Sequence, residues 1–163
     1  MCYPNNVTSV RGIVRLNREL PSAPLRANYQ AFLMAPMASI FDAFASDERF
    51  CQLVPNLQNV TRYESTQGLI RRCDFGNDLI VEQRIVAYHP PSIYAYCVTV
   101  PNPLGLRRHC SIVTCQPQGR GTHLCWQHCF EHDDLVAILA MLDAMFVYML
   151  AGLFKQFEGQ RLS

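Results

Sequence analysis

Hydrophobic positions along the chain change period twice before the final helix. Aromatic and aliphatic residues over 28–34 fit a strand. Pro36 opens a helical stretch to Ala45, where Met37, Ile40, Phe41 and Phe44 recur at three- and four-residue spacing. Ser46 suits the N-cap of a second short helix, with Glu48 and Arg49 in its first turn and Pro55 stopping it after Leu53. Beyond Pro55 the period falls to two. Strands are expected over 59–64, 69–75, 79–88, 93–100, 106–116 and 122–132, and Gly, Pro and Asn clusters between them mark turns. Leu135–Phe154 then runs twenty residues with Asp143 as its only charge. Asp133 or Asp134 can cap it.

A helix that is apolar on every face must be buried in something. A bilayer, another subunit and a curved sheet are the candidates. A run of six strands joined by tight turns is most simply an antiparallel sheet. One long apolar helix can lie in its concave face. If the sheet curves strongly, helix and sheet cannot fill the space between them, and a cavity results. The helix is also long enough to span a membrane. Its central Asp would be unusual there, and the strands need it to cover their apolar face, so stable membrane insertion is not expected. It has more apolar surface than one sheet face requires, which points to a homodimer as a partner.

The chain has 163 residues, half of them hydrophobic and 17% charged, the composition of a globular protein. One domain is expected over 27–163, with 1–26 as an irregular arm. Net charge is +1 with no run of Lys or Arg, which argues against nucleic acid as a partner. Without a signal-like apolar stretch near Met1, the eight cysteines are expected to stay reduced in a cytoplasmic protein.

Several stretches together resemble the START-like, pollen-allergen-like superfamily, and within it the polyketide cyclase/dehydrase-type proteins. They are Ala35-Pro36 with Ile40 to Phe44, Ser46 to Phe50, Val54-Pro55-Asn56, Glu82 to Ile85, Pro90-Pro91, Tyr94 with Tyr96, Gly121-Thr122 with Leu124 and Trp126, and the terminal helix. The resemblance covers about residues 28–160. It implies an α+β helix-grip fold, in which a curved seven-stranded antiparallel sheet wraps the C-terminal helix and two short helices follow the first strand. It also implies an apolar cavity between sheet and helix, with the short helices helping to form an entrance. The expected function is binding of a small hydrophobic, lipid- or polyketide-like ligand. The alternative is a cofactor-independent cyclase or dehydratase acting on an aromatic or polyketide-like substrate in the same cavity.

Alternation along the last strand puts Thr122, Leu124, Trp126, His128 and Phe130 on one, mainly apolar face, which places Trp126 and His128 at the cavity wall. His128 could hydrogen-bond a ligand oxygen or act as a general base, and it could equally be a core histidine. Asp143 either finds a buried partner such as His128 or Arg84, or faces water. Tyr94, Tyr96, Met145 and Met149 suit a pocket for varied apolar ligands and would fill an ordinary core as well. Over 79–88 either parity can face inward. Leu79, Val81, Ile85 and Ala87 compete with Ile80, Val86 and Tyr88, and the second set would bring in Glu82 and Arg84. Arg71-Arg72 and Arg107-Arg108-His109 read as solvated surface, or as groups that meet a ligand's acidic end at the cavity mouth. Cys125 and Cys129 would stand about 13 Å apart on a strand, too far for one zinc, so no metal or other cofactor is expected.

Overall fold

The structure, a computed structural model, describes residues 23–162. The arm expected at 1–26 therefore lies outside the described residues over 1–22. Leu25 and Arg26 open the first strand.

Eleven elements follow in order: β1 (Leu25–Leu33), α1 (Met37–Ala45), α2 (Asp47–Leu53), β2 (Asn59–Ser65), β3 (Gly68–Asp74), β4 (Ile80–His89), β5 (Ile93–Val98), β6 (Arg107–Gln118), β7 (Gly121–Glu131), α3 (Leu135–Phe154) and β8 (Gly159–Leu162). The helix ends carry the expected caps. Pro36 stands extended before α1. Ser46 Oγ accepts from the Arg49 N–H at the start of α2, and an Asp134 carboxylate oxygen accepts from the Ala137 N–H at the start of α3.

The strands form one antiparallel sheet in the order β2-β3-β4-β5-β6-β7-β1-β8. The helix-grip fold is the expected one, with an eighth strand added at the β1 edge. That strand has four residues, too few for an alternation signal. It lies tight against β1: a Cβ at Gly159 would fall 2.3 Å from the Phe32 carbonyl oxygen.

The concave face of the sheet holds the core. Leu124, Trp126, His128 and Phe130 are buried there at 0–1% exposure, as alternation on β7 requires. On β4 both parities occur. Val81, Gln83 and Ile85 face the concave side, opposite Cys73, Arg71 and Tyr96 or Val98 on neighbouring strands. A bulge between Ile85 and Ala87 then shifts the register. Past it, Ala87 joins Ile93, Ala95, Cys97, Cys110 and Ile112 in a second cluster on the other face. Tyr88 turns inward against Phe41 and Tyr94.

Helix α3 seals the concave face with Ile138, Leu142, Phe146, Met149, Leu150 and Leu153. Phe146 stacks on Tyr29 with ring centroids 4.6 Å apart. The opposite side of the helix is uncovered, with Val136 82% and Val147 46% exposed. By length and composition α3 could cross a membrane. In this fold its buried side is the lid of the sheet.

Candidate ligand-binding site

Sheet and α3 leave between them a cavity of about 530 Å³. That volume falls within the range of small-molecule sites. Its wall comes from most of the fold. Phe50 and the Val54-Pro55-Asn56 segment supply the α2 side. Val81, Gln83, Tyr96, Val98, Leu106, His109, Trp126 and His128 supply the sheet side, and Met141, Leu142, Ala144, Met145 and Tyr148 supply the helix side. Asn56, Leu79, Met141, Ala144 and Tyr148 are exposed and mark the mouth. Gln83, Tyr96, His109, Trp126 and His128 are buried and mark the inner end. Among the described residues, no Asp, Glu, Lys or Arg lines the cavity.

The polar inner end holds two hydrogen-bonded groups. The Val98 N–H donates to His109 Nδ1 at 3.1 Å, and His109 Nε2 lies 3.5 Å from His128 Nδ1. His128 Nε2 is buried and has no hydrogen-bond partner among the described residues. Burial pushes the His109 imidazolium pKa down to about 3 and holds that of His128 well below its ordinary value. Both rings are therefore neutral at physiological pH. Trp126 Nε1 donates to Ser111 Oγ, and the Tyr96 hydroxyl shares that serine. Burial pushes the Tyr96 hydroxyl up to about 12, so it stays protonated.

Behind this wall lies Arg71, which is 0% exposed. Its Nε donates to Gln83 Oε1 at 2.9 Å, and its Nη1 donates to the Phe44 carbonyl at 2.8 Å. Its guanidinium carbon lies 3.9 Å from the Phe50 ring centroid and 5.0 Å from that of Tyr94. Its Nη2 is unpaired, and none of the six ion pairs among the described residues includes it. A buried guanidinium without a carboxylate is uncommon, because desolvation is repaid only by complete pairing.

Four of the residues singled out from sequence line the cavity: Tyr96, Trp126, His128 and Met145. Four do not. Tyr94 is fully buried among Phe41, Tyr88 and Tyr96, behind the wall. Met149 is buried in the core under α3. Arg84 pairs with Cys97 on the opposite face of the sheet, because β4 turns Gln83 inward instead. Asp143 lies on the open side of α3, where an ion pair with Arg161 at 2.8 Å leaves both side chains about half exposed. The Asp143–His128 pair considered from sequence therefore does not form. A surface pair of this kind contributes at most about 1 kcal/mol.

Two residues expected at the surface are buried instead. Arg71 stood in a basic pair and His109 in a basic triplet, and only their neighbours Arg72, Arg107 and Arg108 are exposed. Strand alternation was the available signal for both. His109 shares the inward parity of Ser111 and Val113, and Arg71 that of Cys73.

No protein-family profile matches the chain, and no curated protein sequence does. Solved structures do share the fold. XoxI from Bacillus cereus superposes with a TM-score of 0.67 at 10% identity, over 80% of this chain and 94% of that one. Ara h 8.0201 gives 0.60 at 14%, over 79% and 97%. The di-domain ARO/CYC StfQ from the steffimycin biosynthetic pathway gives 0.64 at 14%, over 90% of this chain and 53% of its own. The chain thus has the START-like, pollen-allergen-like helix-grip fold.

Proposed function

We propose that the protein binds a small hydrophobic ligand in the cavity between the sheet and α3. The observation that carries this reading is the cavity itself. It is about 530 Å³, apolar along its sides, open at one end and polar at the other. A core that needed only to be full would close such a space, since packed interiors leave few voids larger than a water molecule. The likeness to the ARO/CYC StfQ favours an aromatic or polyketide-like occupant. The cyclase or dehydratase alternative lacks the carboxylate it would draw on, because Asp143 sits outside the cavity. A second copy of the chain is the partner we propose for the uncovered side of α3, and sedimentation reads it directly as a dimer.

Trp126 is the only tryptophan and lines the cavity. Anilinonaphthalene sulfonate is therefore expected to bind one site per chain and to receive excitation energy from it. Val81→Phe fills the cavity from the sheet side and is expected to weaken dye binding at least tenfold while circular dichroism stays unchanged. Undiminished energy transfer in folded Val81→Phe would place the dye elsewhere and defeat the reading.

A further inference from the structure

Obligate donors fix the direction of the hydrogen bonds to His109 and Gln83. A backbone N–H only donates, so His109 Nδ1 accepts from Val98 and the single ring proton of His109 sits on Nε2. That proton can go only to His128 Nδ1. His128 then carries its own proton on Nε2, the atom without a partner. The same logic fixes Gln83. Arginine only donates, so the oxygen of the Gln83 amide is committed to Arg71 and the NH₂ end is what the glutamine has left to offer. Among the described residues, the Arg71 charge behind Gln83 has no counter-ion, and no carboxylate lines the cavity to supply one. Ring-proton positions and amide orientation at this end are thus set by the backbone of β5 and by a buried guanidinium.

Resting on the ligand-binding reading above, we propose that the cavity selects apolar ligands that carry a carbonyl-class oxygen at their buried end, which accepts the proton of His128 Nε2. A purely hydrocarbon occupant leaves that N–H buried and unpaired, and a carbonyl satisfies it.

Fluorenone and fluorene form a matched test pair, since they differ only in whether the central carbon carries the acceptor oxygen. The ratio of their dissociation constants is expected to favour fluorenone about tenfold more in the wild type than in His128→Phe, the size of one ordinary hydrogen bond. Taking the difference between two proteins cancels the ligands' own hydration. Infrared spectroscopy of fluorenone bound to the wild-type protein needs no variant. Its carbonyl stretch is expected at lower frequency than in an alkane solvent. Binding of both compounds with the stretch at its alkane position would overturn this inference and leave the ligand-binding reading standing. Binding of neither would overturn both.

Discussion

Phe146→Ala is expected to lower the unfolding free energy by about 3–5 kcal/mol, the usual range for truncating a fully buried aromatic side chain. Phe146 has 0% exposure and stands midway along α3. It stacks on Tyr29 of β1 and lies 6.0 Å, centroid to centroid, from Trp126 of β7. It is therefore the contact through which the helix is held by the two strands at the middle of the concave face. Truncation removes the ring's transfer energy and its stacking, and it leaves a void that a packed sheet can close only in part. Val147 follows it in sequence, is 46% exposed and faces away from the sheet. Val147→Ala is expected to change stability by no more than about 0.5 kcal/mol. Urea unfolding of the two variants checks both values. Equal, small effects would mean that the sheet does not grip the helix through this face.

Lowering the pH from 7.5 to 5 is expected to remove at least about 2 kcal/mol of stability through His109 alone. His109 packs against the rings of Tyr96, His128 and Phe130, and no carboxylate among the described residues pairs with it. Burial brings its pKa down to about 3, so the folded protein keeps the ring neutral where the unfolded chain, with a pKa near 6.5, takes up a proton. Stability is therefore complete above about pH 6.5 and is lost at about 1.4 kcal/mol per pH unit as the pH falls below it, until the folded value is reached. The His128 pKa is also depressed, by burial and by the neighbouring His109, and it adds to the loss in the same direction. Ordinary carboxylates titrate below this window, so the loss between pH 6.5 and 5 belongs to histidines. Urea midpoints at several pH values measure it. A flat profile over that interval would show that the two rings are solvated, not enclosed.

Element order was legible in the sequence because it depends on periodicity and punctuation. The helix-like spacing of Ile40, Phe41 and Phe44, the caps at Ser46 and Asp134, and the strict alternation from Thr122 to Phe130 all act locally. What the sequence left open depends on contacts between distant segments. The bulge after Ile85 lets β4 use one parity for Gln83 and the other for Tyr88, so no single periodicity could describe it. Asp143 occupies a helix apolar all round, and only the placement of Arg161 on β8 shows which side is open. The Tyr96, Trp126 and His128 positions followed from alternation within their strands. His109 and Arg71 were obscured by the charged residues beside them. A strand sends adjacent side chains to opposite faces, so a basic triplet can have one member in the core.

The most direct measurement locates a bound apolar molecule on α3, because this one helix lines the cavity on one side and faces solvent on the other. With methyl-labelled protein saturated with anilinonaphthalene sulfonate, intermolecular nuclear Overhauser effects are expected from the dye to Met145, Leu142 and Val98, which line the cavity. None is expected to Val136 or Val147 on the exposed side of the helix. The reverse pattern, with effects at Val136 and Val147 and none at Met145, Leu142 or Val98, would contradict an internal ligand site.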